Sequence, residues 1–222
     1  TLSALDEVLG VGAFACGTTS VLLRTWMPFT QVSAGANGTC GIRVGGSVQC
    51  WGIDDPGQTP QGFFSQISAG SSGSPHHCGI DSTGSVQCWG SDGYGQSTPP
   101  AGTFTQVSAG SYSSCGIDST GSVQCWGVDD GSYFDNGQVT NAPAGTFTQV
   151  SAGSLHTCGI DGSGSVQCWG SNIAGQATPP VGTFAQVSAG GSFTCALDGG
   201  GAVQCWGDNT YGQTAPPAGT FT

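Results

Sequence analysis

One repeated hexapeptide limits what this chain can become. Ser47-Val-Gln-Cys-Trp-Gly52 recurs at 85–90, 122–127 and 165–170, and once more as Ala202-Val-Gln-Cys-Trp-Gly207. Each copy follows another cysteine at a constant step, giving the pairs Cys40/Cys50, Cys78/Cys88, Cys115/Cys125, Cys158/Cys168 and Cys195/Cys205. Upstream of each pair stands Gln-Val-Ser-Ala-Gly or Gln-Ile-Ser-Ala-Gly, at 31–35, 66–70, 106–110, 149–153 and 186–190. A period of roughly 37–40 residues is the mark of a propeller or a solenoid.

Residues 147–184 show the template most clearly. Phe147 to Gly153 reads as a first strand ending in small residues suited to a crowded centre, and Leu155 to Ile160 as a second. Asp161-Gly-Ser-Gly-Ser165 has the turn chemistry of a hairpin, and Val166 to Trp169 is a third strand. If Ile160 faces Val166, then Cys158 faces Cys168 and all four side chains share one face of the sheet. Directly opposed positions bring Cβ atoms within bridging range, so each pair is expected to form a disulfide inside its own hairpin. Trp169 then points to the opposite face. Both faces must therefore be covered, as in blades stacked about an axis.

Composition agrees. Forty-one glycines and only 7% charged residues suit short strands and tight turns more than helices. Ten of the eleven cysteines fall in the five pairs, which indicates an oxidising, extracellular compartment and a secreted or cell-surface protein. Zinc is disfavoured, because the intervening spacing is not a usual ligand spacing. The net charge of −11 reflects a chain with only two basic residues, Arg24 and Arg43, so nucleic acid is excluded as a partner. The uncharged run Val8 to Leu23 is too short and glycine-rich for a membrane span. The chain begins at Thr1 without Met, which fits removal of a secretion signal.

The repeat boundaries are expected near 1–28, 29–63, 64–103, 104–146, 147–183 and 184–222, all within one domain. The first repeat is worn: Cys16 matches Cys40, but Thr25 stands where the second cysteine belongs, leaving Cys16 as a buried, unpaired small hydrophobe. Gly219-Thr-Phe-Thr222 and Thr1-Leu-Ser-Ala4 together resemble one first strand, so the termini are expected to meet and close a ring. Between Trp126 and Phe147 the linking segment is longer by about six residues, and such length variation in repeat arrays maps to one surface, often a binding surface.

The elements Ser151-Ala-Gly153, His156-Thr-Cys158, Val166-Gln-Cys-Trp-Gly170, Asn172 and Gly175-Gln176 resemble the regulator-of-chromosome-condensation repeat family, and the cysteine-paired form resembles its secreted bacterial members. The resemblance implies an all-β fold: a β-propeller with about four strands per blade and, by the repeat count, about six blades, or seven if the chain is trimmed. It does not settle function, since the family includes a nuclear exchange factor, a plant ultraviolet photoreceptor and a secreted inhibitor of β-lactamase. The acidic, cystine-paired chain does not suit the first. Tryptophans in a repeated structural slot do not suit the second.

Two groups of residues are candidates for binding. Asp54, Asp92, Asp129, Asn172 and Asn209 stand two residues after each Trp-Gly, where they could ring a cation or a sugar or simply cap a recurrent turn. Calcium at Asp54-Asp55 or Asp129-Asp130 is conceivable chemistry, although no known calcium loop matches; no metal or cofactor is otherwise expected. Tyr94, Tyr112, Tyr133, Phe134 and Tyr211, and with them Phe193, are unique aromatics in or near loops, of the kind that make protein hot spots or stack on sugars. His76, His77 and His156 lack a recurring general-base partner, so catalysis is not expected. The expectation is a non-catalytic extracellular binding or structural module that contacts another protein or copies of itself, including as a filament. The alternatives are a lectin-like propeller or a secreted enzyme inhibitor.

Overall fold

The computed structural model describes residues 13–16, 19–22, 28–52, 59–71 and 75–221. All regular structure among them is strand. A hairpin of β1 (Ala13–Cys16) and β2 (Thr19–Leu22) is followed by five three-stranded antiparallel sheets. These are β3 (Phe29–Ala34), β4 (Gly38–Arg43) and β5 (Val48–Gly52); β6 (Phe64–Ala69), β7 (His76–Asp81) and β8 (Val86–Gly90); and β9 (Phe104–Ala109), β10 (Ser113–Asp118) and β11 (Val123–Gly127). Then come β12 (Phe147–Ala152), β13 (His156–Asp161) and β14 (Val166–Gly170), and β15 (Phe184–Ala189), β16 (Phe193–Asp198) and β17 (Val203–Gly207).

The hairpin arithmetic holds in every copy. Ile160 pairs with Val166 and Cys158 with Cys168, and the same register recurs in the other four sheets. The disulfides Cys40–Cys50, Cys78–Cys88, Cys115–Cys125, Cys158–Cys168 and Cys195–Cys205 all form within their own hairpins, with Cα atoms 4.0–4.1 Å apart. The two sulfurs of a bridge are not equally covered. Cys40, Cys78, Cys115 and Cys158, on the middle strands, are fully buried, whereas Cys50, Cys88, Cys125, Cys168 and Cys205, on the outer strands, are half-buried. Cys195 is also half-buried.

Four of the five turns are held by an aspartate, Asp81, Asp118, Asp161 or Asp198, and Arg43 stands at that position in the first. In β13–β14, Asp161 Oδ1 accepts the Ser163 hydroxyl (2.6 Å) and the Ser163 and Ser165 amides, while Oδ2 accepts Gln167 Nε2. The Ser163 hydroxyl, then Gln167, holds this carboxyl down at about 2; Asp81 and Asp118 sit at about 2 likewise, through Thr83 and Thr120 first.

The core lies between sheets, not within them. The cystine face of one sheet packs on the Phe–Trp face of the next: Cys158, Ile160, Val166 and Cys168 meet Phe184, Val187 and Trp206. The same joint is built where Cys40 and Cys50 meet Phe64 and Trp89, where Cys78 and Cys88 meet Phe104 and Trp126, and where Cys115 and Cys125 meet Phe147 and Trp169. A polar clasp accompanies each one. Gln149 Oε1 accepts the Val187 amide (2.7 Å) and Ser151 Oγ accepts the Ala189 amide (2.9 Å), a pattern repeated from Gln31/Ser33, Gln66/Ser68 and Gln106/Ser108. Side chains thus satisfy edge-strand amides that would otherwise be buried unpaired.

The first strands converge at their small-residue ends. Ser71, Ser111 and Ser154 amides donate to the carbonyls of Gly110, Gly153 and Gly190 in the following sheets at 3.1, 3.3 and 3.1 Å. A Cβ at Gly110 would stand 2.4 Å from Gly153 O, so only glycine allows the approach.

The expectation of about six four-stranded blades is corrected: among the described residues there are five sheets of three strands each, in a propeller-like array, beside the two-stranded β1–β2 hairpin. The linking segment does not supply a fourth strand because it spends its hydrogen bonds on turns. The Gly95 amide donates to Asp92 O and the Thr98 amide to Gly95 O, and Gly175 and Thr178 repeat this with Asn172 and Gly175. In the β1–β2 hairpin the backbone of Cys16 is in register with that of Thr19, and the side chain of Cys16, expected buried and unpaired, lies outside what is described. Thr25, the Thr1–Ala4 half of the proposed closing strand and Asp54-Asp55 lie outside the described residues. No described helix is long and apolar enough to cross a membrane.

Candidate interaction site

The longest linking segment carries the most distinctive surface. Asp135 pins it on both sides, Oδ2 accepting the Gly131 amide (2.9 Å) and Oδ1 the Gly137 amide (3.1 Å). Gln138 is fully buried beneath it, taking the Asn136 amide at Oε1 and donating Nε2 to Phe134 O, both at 2.7 Å. Phe134 is thereby laid flat on Tyr112, the rings 4.2 Å apart and 19° from parallel. Tyr94, from the preceding linking segment, meets both edge-on at 5.5 and 6.0 Å. Tyr133 sits edge-on to Phe134 at 5.5 Å and is 85% exposed.

Four of the six aromatics singled out in the sequence therefore form one cluster, drawn from three segments, with Tyr133 at its exposed tip. Asp129, Asp130 and Asp92 are also exposed, two on the Tyr133 loop and one on the Tyr94 loop. Tyr211 is separate, 90% exposed in the last linking segment, where it matches Tyr94 in position. Phe193 stands against Gly190, outside the cluster.

The cysteines named alongside these residues belong to the scaffold and not to a ligand site. Cys50, Cys88, Cys125 and Cys168 pack with their partners Cys40, Cys78, Cys115 and Cys158 into the joints between sheets, where an apolar sulfur pair fills space that a thiol ligand would need free. Cys195–Cys205 differs in lying on the last sheet, beyond the last of the four joints. None of the ten takes part in the aromatic cluster, because the strand positions they occupy face neighbouring sheets while the cluster rises from two linking segments and the β9–β10 turn.

The Asp/Asn series is engaged in its own turns. Asp92 accepts the Ser97 amide and the Thr98 hydroxyl, both at 2.8 Å, and Asn172 and Asn209 accept the Ala177 and Thr214 amides at 2.9 and 3.0 Å. Asp129 is exposed on the long loop, and Asp54 lies outside the described residues. No group of three potential metal-ligating side chains occurs among the described residues.

The histidines are buried between sheets, a role that sequence spacing did not reveal. Ser114 Oγ donates to Gln96 O (3.2 Å), so His76 donates Nε2–H to that hydroxyl (2.7 Å). His156 Nε2 likewise donates to Thr194 Oγ1 (2.9 Å), which donates to Gln176 O (3.0 Å). His156 Nδ1 is left as a buried acceptor without a partner among the described residues, and burial pushes the imidazole pKa down to about 4. The same Gln96 and Gln176 carbonyls accept the indoles of Trp126 and Trp206 at 2.9 and 2.8 Å. Each relay ties a sheet, its successor and the segment joining them.

Hairpins stapled by their own cystines and packed face to back define a propeller-like repeat protein. The chain belongs to the regulator of chromosome condensation (RCC1) repeat family, whose repeat matches residues 29–58, 64–96, 104–138, 147–176 and 184–213. Among solved structures it resembles the ectodomain of the receptor kinase CR4 from Physcomitrella patens, with 28% identity, a TM-score of 0.68 and coverage of 86% of this chain and 53% of that one. The ectodomain of the Arabidopsis thaliana receptor kinase ACR4 is 32% identical, with a TM-score of 0.64, over 81% of this chain and 63% of that one. Prp20p from Saccharomyces cerevisiae shares the fold at 15% identity and a TM-score of 0.66, over 84% of this chain and 59% of its own. The chain thus spans less than two thirds of each of these structures. No curated protein matches it in sequence.

Proposed function

We propose that this chain is a secreted, non-catalytic module that binds another protein through the cluster of Tyr94, Tyr112, Tyr133 and Phe134. The observation that carries the reading is the convergence of these rings on a loop held rigid by Asp135 and Gln138. An exposed aromatic tip on a fixed base is the arrangement of an interface anchor: apolar area is offered with little ordering cost. The five cystines support an extracellular setting, as does the likeness to two receptor-kinase ectodomains. Prp20p, of the same fold, is described by its binding to Gsp1p and histones, which supports binding as the fold's use.

A photoreactive side chain at position 133, presented to intact source cells, should yield one discrete protein adduct. The adduct should disappear when Phe134→Ala is added. The same probe at Val181, fully exposed on another segment, is the control. Equal labelling from both positions refutes the reading, and a glycan-only adduct at 133 replaces it with the lectin alternative.

A further inference from the structure

The segments that build the aromatic cluster carry acid as well as rings. Asp129 and Asp130 precede Tyr133 on the same loop, Asp92 precedes Tyr94, and all three are exposed. Asp92 is fixed by the Ser97 amide and the Thr98 hydroxyl at 2.8 Å, and Asp130 by the Ser132 amide at 2.9 Å. These donors are neutral, so they orient the carboxylates and favour their charged form without cancelling the charge. Arg43, the one Lys or Arg among the described residues, is engaged elsewhere. It lies 5.0 Å over the Phe29 ring and donates Nε to Gln49 Oε1 at 3.0 Å, within the first sheet. The rings differ in what they leave open. Tyr112 and Phe134 cover one another, whereas Tyr133 stands 85% exposed beside the two carboxylates of its own loop. The whole surface is built from segments between β8 and β12, inside the array and not at either outer sheet.

We infer that the partner at this surface is a basic protein segment that sets an arginine guanidinium against the Tyr133 ring, within reach of Asp129 or Asp130. This rests on the reading of the aromatic cluster as the binding surface and adds the chemistry of what binds there. An exposed tyrosine attracts a cation through its ring quadrupole, and a neighbouring carboxylate accepts charge-assisted hydrogen bonds from the same group. Arginine meets both demands at once. Its planar guanidinium stacks on a ring while its fork of N–H groups faces a carboxylate, whereas the lysine ammonium is a point charge that holds its water more tightly. The flanking acids also exclude other occupants. An acidic segment is repelled by Asp92, Asp129 and Asp130, and a purely apolar one would dehydrate these carboxylates with no counter-charge. Charge balance points the same way, since the sequence holds 13 acidic residues against 2 basic ones.

The test is a titration of the full, oxidised chain followed by backbone amide NMR shifts. The probes are the peptide Gly-Arg-Gly-Arg-Gly and its lysine and citrulline counterparts, citrulline keeping the shape of arginine without its charge. The arginine peptide should bind with a Kd of about 1–10 mM and move the amide signals of the Tyr133 loop. The lysine peptide should bind about threefold more weakly, and the citrulline peptide at least about tenfold more weakly. Asp129→Asn combined with Asp130→Asn should weaken the arginine peptide about fivefold at about 50 mM salt, and raising salt to about 300 mM should do the same to the parent chain. Both changes are isosteric and lie on exposed side chains, and circular dichroism matching the parent verifies the fold. Equal binding of arginine and citrulline overturns the inference. So does arginine binding that ignores the paired Asn changes, a set of shifts that leaves the Tyr133 loop unmoved, or no shift up to about 20 mM peptide. The photoreactive probe at position 133 reads the parent proposal separately. A discrete protein adduct without arginine binding overturns the basic partner and keeps the surface, whereas arginine binding without an adduct keeps the cation preference and removes the protein-binding reading.

Discussion

The indole Nε1 of Trp169 lies 2.9 Å from the carbonyl oxygen of Gln138, a residue of the segment that leads out of the preceding sheet. Trp169 is 6% exposed and Gln138 is fully buried, so this bond is made out of water. It explains why the tryptophan of the hexapeptide is not interchangeable with another large apolar residue. The ring fills the joint while its polar edge satisfies the backbone of the linking segment.

Trp169→Phe keeps most of the apolar area but strands the Gln138 carbonyl. We expect a loss of about 1–3 kcal/mol, read as a lower urea midpoint at unchanged slope. Trp51→Phe, at the exposed end, should cost clearly less. Equal losses at both positions would show that the bond to the linking segment contributes nothing.

Replacing both Cys158 and Cys168 by Ala opens one short loop of the denatured chain. The expected cost is about 2–3 kcal/mol, measured by denaturant unfolding of the oxidised protein. If the midpoint of the wild-type protein is the same with and without reductant, the cystines do not stabilise this fold.

His156 makes stability depend on pH with a defined sign. The unfolded imidazole takes up a proton near 6.5, while the buried one resists until about 4. Between those values the unfolded chain binds more protons, so stability falls as pH drops from about 6.5 to 4 and levels off below. The groups around the ring, Thr194, the Cys158 sulfur side and Gly153, carry no charge to oppose this. His156→Phe copies the residue that the next repeat uses, Phe193, and should flatten that part of a thermal-stability profile against pH. An unchanged slope would assign it to other groups.

How much of this was legible depends on how local each feature is. The hairpin register and the five cystines follow from the two-residue period of a strand. Cys158 opposite Cys168 needed only the turn between them, and so did Cys40 opposite Cys50, Cys78 opposite Cys88, Cys115 opposite Cys125 and Cys195 opposite Cys205. What the pairing did not reveal is that these bridges are one half of a joint, since their partner phenylalanine and tryptophan come from the next repeat. The count of strands was not legible in the same way, because Gly170 to Pro180 carries no periodicity that separates a strand from consecutive turns. The Asp92–Gly95–Gln96 pattern signals the turns only once Tyr94 is seen donating its amide to Gln96 Oε1. Tyr94, Tyr112, Tyr133 and Phe134 were visible as unusual residues, but their convergence is tertiary. The histidine relays were hidden because His76 and Ser114 are 38 residues apart in sequence. One signal was available and went unread. Glycine follows the first cysteine in four repeats, and a Cβ at Gly159 would stand 2.8 Å from Phe147 Cδ1, so its absence marks where the phenylalanine lies.

The joints also bear on how such a chain changes length. Since each repeat supplies one socket and one plug, deleting or duplicating a whole repeat restores a matched seam at the point of change. Nothing inside a repeat counts how many others there are. Gene segments encoding such units can therefore expand and contract with little damage to the seams, and the number of units is set by what caps or continues the two outer faces.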